Sequence, residues 1–471
     1  MPEGVRRAVT ALALVACCAP LGAGARPEDA GQALANAIRA DNLAAARAAL
    51  ARHADPNRRM AFGAPPLALA VYTQDPDMVA MLLASGATPN AADDDGETPL
   101  ALACELGDGA IVTRLLDAHA DVRTPRPDGS TPLAICARYG EPSTVARILA
   151  AGAPADSIDS RGQTPLMWAA SSGHIAAIAA LLKAGADANR VSTGGFTPLF
   201  FAIKSGGLPA VQALLAAGAR TDHRGPENTS AAQLAVYQHN YAAAALVVER
   251  GADLAERDRN GNQLLHAAAE GGDAALVSLL LARGADPNGL TGPSRIKWVT
   301  EANFGVPPPP IPPTPPLLFA AAHGHEAAMK LLLAAGANPR FVTDDGTNIV
   351  LAAARGGSAA ALDLALHIAP DANVADANGA TPLHILIGGG AQPELAAMMR
   401  LLAAHGARTD ISSKHGFTAA AMALNGLTEV KAIFLDIFPA AANSARAEIK
   451  AAPSVQARAA VVTTAQAIPQ N

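Results

Sequence analysis

Aromatic side chains are scarce in this chain. Phe, Trp and Tyr make up 3% of its 471 residues, although 50% of it is apolar. A core filled by large rings is thereby excluded, and Ala and Leu must fill it, which suits thin helical layers packed at close spacing. Basic clusters are missing as well. The net charge is −6, and an acidic chain without a Lys/Arg patch argues against nucleic acid as a partner. No apolar run approaches the ~18 residues that a membrane helix needs. No Ser or Cys sits in a recognisable nucleophile elbow, and no His-Glu-x-x-His spacing occurs. Gly388-Gly389-Gly390 lacks the strand before and helix after it that a phosphate loop requires. Neither enzyme activity, nor a cofactor, nor a metal site is expected.

Glycine and proline, by contrast, are plentiful, at 41 and 35 residues, and most of them recur at turn positions with fixed spacing. The stretch Arg161–Arg190, RGQTPLMWAASSGHIAAIAALLKAGADANR, shows the rule. Thr164 can N-cap a helix whose first turn tolerates Pro165, and Gly173 supplies the left-handed residue that ends it. A second apolar helix runs from about His174 through Leu181 and Leu182 to Gly185, after which Ala186-Asp187-Ala188-Asn189 is too short and polar to be helical. The position of Pro165 recurs at intervals of 33 as Pro66, Pro99, Pro132, Pro198, Ala231 and Leu264. After an interruption it resumes as Pro316, Ile349 and Pro382, again 33 apart, and then as Ala419 after a four-residue expansion. Gly31–Asn57 is in phase and ends in HADPN without the Thr-Pro signal, so it reads as an N-terminal capping repeat.

A G-x-TPL turn, a short inner helix, a G-H loop, an outer helix ending in LL and then GAD-x-N together resemble the ankyrin repeat, whose period is about 33 residues. The resemblance covers roughly 31–438. It implies an all-α fold: an ankyrin-repeat solenoid of stacked helix-turn-helix units with short hairpin fingers. It also implies a non-enzymatic protein that binds another protein on a concave surface of fingers and inner helices. Asp95-Gly96, Asp128-Gly129, Arg161-Gly162 and Gly194-Gly195 suit the tight turns of such fingers. The expected organisation is a signal peptide at 1–25, a linker and capping repeat at 26–62, and repeats over 63–288. A Pro-rich insert at 289–313, further repeats over 314–438 and an Ala-rich tail at 439–471 complete it.

Residues 1–25 have the layout of a targeting segment, with Arg6 and Arg7 before the apolar run Ala8–Ala16 and an A-x-A site at Ala23-Gly24-Ala25. Leu14-Val15-Ala16-Cys17 also resembles a bacterial lipoprotein box, in which Cys17 would be lipidated and would supply the one link to a membrane. Both processing routes stay open. Loss of Glu3, Arg6 and Arg7 would take the net charge from −6 to −7. The Ala-rich style and signal layout resemble exported bacterial ankyrin proteins, implying a periplasmic chain, soluble or lipid-anchored, with an extracellular one as the lesser alternative. Two other roles fit the same compartment: an immunity or inhibitor protein that blocks a toxic enzyme, and a lipid-anchored envelope tether.

Several residues call for placement. Cys104 and Cys136 occupy nearly equivalent inner-helix positions, and helices in such a stack lie about 8–10 Å apart against a ~7 Å Cα limit for a disulfide, so both are expected to be small core residues. The degenerate repeat at Glu227–Arg257 carries Tyr237, His239 and Tyr241 near its inter-helix turn, which suggests a specialised surface. The insert displays Trp298 and Phe304 beside Arg295 and Lys297, and its Pro run prefers extended polyproline II. These four, with the two tyrosines, are the protein-binding candidates, since Trp and Arg are enriched at binding hot spots. His266 and His384 match the TPLH histidine of the family, which implies hydrogen bonds to neighbouring backbone. His323-Gly324-His325-Glu326 looks metal-like but fits the G-H loop. Asp93-Asp94-Asp95 is expected to be a solvated turn. Ala101, Ala134, Met167 and Phe200 leave the inner helices apolar where an enzyme would need convergent polar groups.

Overall fold

The computed structural model describes residues 29–60, 63–294 and 312–441. Helices come in pairs, and among the described residues the β-pairing is limited to two isolated bridges, Arg224 with Ser230 and Ser412 with Thr418. The chain divides into two compact units, with the boundary after Ser160. The first unit holds four pairs: Ala30–Arg39 with Leu43–Ala51, Pro66–Tyr72 with Pro76–Ala84, Pro99–Leu106 with Gly109–Asp117, and Pro132–Tyr139 with Pro142–Ala150. The second begins with Pro165–Ser172 and Ile175–Lys183, Pro198–Lys204 and Leu208–Ala216, Ala231–Tyr237 and Tyr241–Glu249, and Leu264–Gly271 and Ala274–Ala282. It continues with Pro316–Ala322 and Glu326–Ala334, Ile349–Arg355 and Ala359–Ile368, Pro382–Gly388 and Leu395–Ala404, and Ala419–Asn425 and Thr428–Ile437.

Each inner helix starts where the Thr-Pro pair dictates. The hydroxyl oxygens of Thr98, Thr131 and Thr164 accept from the backbone N–H three residues on, at 3.2, 3.3 and 3.3 Å, and a proline fills the first helical position. Where the pair is lost a different cap takes over: Ser230 forms a capping box with Gln233, and Asn348 accepts from Val350 and Leu351. Gly173 ends its helix with φ 69°, and Gly185 turns the chain out of the following outer helix with φ 89°.

Within each unit every inner helix packs on its own outer helix and on the next inner helix, and outer helices pack on one another likewise. The buried residues therefore repeat with the period of the sequence. Leu67, Leu100 and Leu133 in the first unit, and Leu166, Leu199, Leu265, Leu317, Val350 and Leu383 in the second, are all buried. In the outer helices Leu82, Leu115 and Ile148, then Leu181, Leu214, Val247 and Leu280, hold the matching column. Burying a Leu or Val side chain is worth roughly 1.5–3 kcal/mol, so this two-column core supplies cohesion that no single 33-residue unit could gather.

The cysteines correct the expectation drawn from the sequence. Cys104 and Cys136, both fully buried, form a disulfide between the inner helices Pro99–Leu106 and Pro132–Tyr139, with their Cα atoms 4.5 Å apart. The expected 8–10 Å is a distance between helix axes. Each Cα lies about 2.3 Å off its axis, so residues on facing sides of two such helices approach to about 4–5 Å. The small residues around them, Ala101, Ala103, Ala134 and Ala137, allow that approach.

The GAD-x-N asparagine is the second repeating tie. The Asn57 amide donates to Gly86 O at 2.9 Å and accepts from Thr88 N at 2.7 Å. Asn189 does the same with Gly218 and Arg220, and Asn373 with Gly406 and Arg408. Asn288 makes this pair of bonds with Gly336 and Asn338, 48 and 50 residues on, so the ladder passes over the interruption in the sequence. Below it, Thr291 N donates to Thr314 O at 3.1 Å and Thr314 N to Thr291 Oγ1 at 3.0 Å. The helices Leu264–Gly271 and Pro316–Ala322 pack directly together.

The finger and inner-helix face as candidate interaction site

Successive repeats are joined by turns that project as fingers. Ser192 N donates to Phe196 O, Asp258 N to Asn262 O and Asp376 N to Ala380 O, at 2.9, 2.8 and 3.1 Å. Neighbouring tips are linked within each unit: Ser160 N donates to Asp128 O, Thr193 N to Arg161 O, Ala377 N to Asp345 O and Lys414 N to Asn378 O. Asp93 is such a turn residue, its carboxylate accepting from the Asp95 and Glu97 amides, while Asp94 pairs with Arg59 at 2.7 Å. Among the described residues no group of His, Cys, Asp and Glu could hold a metal ion. His325 Nε2–H instead donates to Glu270 O at 2.9 Å.

On three inner helices a residue near the C-terminal end is tied to the base of the finger that follows. In the first unit Glu105 and Glu97 both bind the Arg126 guanidinium, the latter at 2.7 Å. Burial pushes the Glu97 carboxyl up even against that guanidinium. At the equivalent place in the second unit the Tyr237 hydroxyl donates to Asp258, and further on Arg355 faces Asp376 at 3.9 Å. Burial, and then Asp258, push the Tyr237 phenol up. Its ring remains 40% exposed. Tyr241 lies elsewhere, with its hydroxyl 2.9 Å from His239 Nδ1 and 3.5 Å from Gly271 O. The structure therefore places Tyr237 on the finger and inner-helix face and Tyr241 at the turn between helices, with each hydroxyl engaged inside the chain. Arg295, Lys297, Trp298 and Phe304 lie outside the described residues, as does Cys17.

His266 and His384 are buried beneath this face. His266 Nδ1 accepts from Gln263 N at 3.2 Å and its Nε2–H donates to Thr314 O, 48 residues on, at 3.1 Å. Burial lowers its pKa to about 4. His384 accepts from Thr381 N and donates from Nε2 to Phe417 O in the same manner. Both serve as cross-repeat clamps to backbone. Ala101, Ala134, Met167 and Phe200, the apolar inner-helix positions noted in the sequence, are buried core residues.

On several inner helices the residues that face outward come one position later, although Ile135 and Ala352 at that place are buried. In the second unit this column reads Trp168, Phe201, Leu234, Ala267, Phe319, each half-buried. The Phe196 ring, 37% exposed on the finger, lies 6.1 Å from the rings of both Phe200 and Phe201, and Val191 on the same finger is 44% exposed. Four of the chain's twelve Phe and Trp residues thus fall within 168–201. The sequence contained this cluster, but it reads as core until the helical phase separates Phe200, which is buried, from Phe201, which is not.

Comparison with known proteins agrees with this architecture. No curated protein matches the chain. A solved structure of the ankyrin repeat domain of Bcl-3, a member of the IkappaB protein family, is similar over 44% of this chain and 95% of its own, at 28% identity and a TM-score of 0.39. The family model for ankyrin repeats in three copies matches in overlapping windows from 34 to 290 and again over 317–392. The chain belongs to the ankyrin-repeat family.

Proposed function

We propose that this is an exported, non-enzymatic scaffold of a bacterial cell that binds a partner protein through its fingers and inner helices. Ankyrin repeats are protein-interaction scaffolds, and here the buried columns are nearly uniform while the outward column varies from Trp168 to Ala267. One observation carries the reading: apolar side chains stay exposed at the junction of finger and inner helix, at Val191 and Phe196, where folding alone gives no reason to leave them. Export rests on the leader-like residues 1–25 and is supported by the Cys104–Cys136 disulfide, since structural disulfides persist in oxidising compartments. Pull-down of the tagged chain from an envelope fraction tests the role. One stoichiometric enzyme means an inhibitor, several envelope components mean a scaffold, and recovery of nothing beyond a tag-only control counts against protein binding. Labelled fatty acid tests processing: label on the wild type that Cys17→Ser abolishes means a lipid anchor, and no label with soluble fractionation means cleavage after Ala25.

A further inference from the structure

Charge is distributed unevenly along the chain, and the uneven part coincides with the aromatic cluster. Residues 161–224 carry six Lys/Arg against two Asp, a net +4. Residues 29–160 carry ten against seventeen, a net −7, and 225–441 carry thirteen against nineteen, a net −6. Two repeats of a net-acidic protein are therefore basic.

Both regions contain paired and unpaired basic groups. In the first unit Arg58, Arg59, Arg114, Arg126 and Arg147 are each engaged by a carboxylate, while Arg39, Arg47 and Arg52 are exposed and in no ion pair among the described residues. In the two basic repeats Arg220 pairs with Asp222 and Arg224 with Glu256. Arg190 and Lys204 are exposed and in no ion pair among the described residues. Lys204 ends the helix Pro198–Lys204, three residues after Phe201, which makes the two neighbours on the helix surface. Val191 follows Arg190 on the finger that carries Phe196.

We infer that the surface formed by Val191, Phe196, Phe201 and Lys204, continued at Trp168, docks an extended acidic segment of a partner protein bearing large apolar side chains three residues apart. This rests on the protein-binding role proposed above. Charge complementarity selects the acidic ligand: a carboxylate beside Lys204 meets a cation with no internal competitor, whereas a basic segment would meet repulsion. Aromatic geometry selects the apolar anchors, because Phe196 and Phe201 present ring edges and faces rather than a flat polar surface. Spacing selects three residues. Trp168 and Phe201 hold equivalent positions on packed inner helices, so they lie on the order of 8–10 Å apart. A polyproline II segment rises ~3.1 Å per residue with three residues per turn, so its positions i and i+3 share a face ~9 Å apart.

Three fluorescein-labelled synthetic peptides test this on the full chain by fluorescence anisotropy: an Asp/Glu-rich peptide with two Phe three residues apart, the same peptide with Lys for every acid, and the same peptide with Ala for both Phe. The acidic di-Phe probe is expected to bind at least 10-fold more tightly than either control and to weaken severalfold between 50 and 300 mM NaCl. Phe196→Ala and Lys204→Glu, both at exposed positions, should each weaken it about 10-fold, with circular dichroism melts showing that the variants stay folded. Equal binding of acidic and basic probes, indifference to Lys204→Glu, or no binding at millimolar probe overturns the inference. If pull-down still recovers a partner while the probes fail, the scaffold role stands and this docking site falls; if neither binds, both fall. Capture of a second copy of the chain in place of the probe, seen as a dimer by sedimentation, also counts against it.

Discussion

The repeats before Ser160 and the two that follow Arg161 are folded by one rule and surfaced by opposite ones. Leu133 and Leu166 fill the same buried position. Around Leu133 the net charge is acidic and five arginines are engaged by carboxylates, the inner helices are stapled by Cys104–Cys136, and the left-handed position after the outer helix alternates between His53 and His119, with φ 63° and 60°, and Gly86 and Gly152. Around Leu166 the glycines Gly185 and Gly218 hold that position at φ 89° and 86°, no cysteine is present, and the exposed face is basic and aromatic. Buried positions thus decide that each repeat folds, and exposed positions are left to decide what it meets.

The largest effects should be alike in the two regions. Leu133→Ala and Leu166→Ala should each cost about 2–5 kcal/mol, because both empty a site shared by adjacent layers. Asp94→Ala, on a finger, should stay within about 0.5 kcal/mol. Denaturant melts showing equal losses for finger and core would mean the phase of the repeat is wrong. The disulfide should divide the regions. Replacing Cys104 and Cys136 together by Ala should destabilise the 29–160 repeats by about 3 kcal/mol, read by hydrogen exchange resolved along the chain, with the later unit unmoved.

Acid should act on the other side. His266 has a folded pKa of about 4 against an ordinary 6.5, so the unfolded chain binds the extra proton. Its contribution is complete above pH 6.5 and is lost as pH falls through about 4, up to roughly 3 kcal/mol. Exchange protection near Leu264–Gly271 should fall over that window, and His266→Gln should flatten the dependence. Smallest of all, His119→Gly should raise stability by about 0.5–1 kcal/mol, since relief of the left-handed strain outweighs the added freedom of the unfolded chain. A loss on that substitution would mean the His119 side chain makes a contact worth more than the strain.

Much of the fold was legible because a 33-residue period constrains every repeat at once. Thr164, Pro165 and Gly173 each announce one local event, and each performs it. The disulfide was not legible: period alone places Cys104 and Cys136 in adjacent repeats, whereas bonding depends on which sides of two helices face each other. The site was legible only in part. Tyr237 lies on the finger and inner-helix face, but its hydroxyl is taken by Asp258, a pairing 21 residues distant that composition cannot reveal. Trp168, Phe196 and Phe201 escaped notice because apolar residues in an apolar helix look like core. Only the side of the helix they occupy distinguishes them from Phe200.

Site-specific photo-crosslinking bears most directly on whether the fingers and inner helices are the binding face. A benzoylphenylalanine is placed at Val191 on a finger or at Lys183 at the end of an outer helix, both exposed, and the two chains are irradiated in the living cell. The account predicts a discrete crosslinked protein from Val191 and none from Lys183. The same adduct from both positions, or an adduct from Lys183 alone, would contradict it.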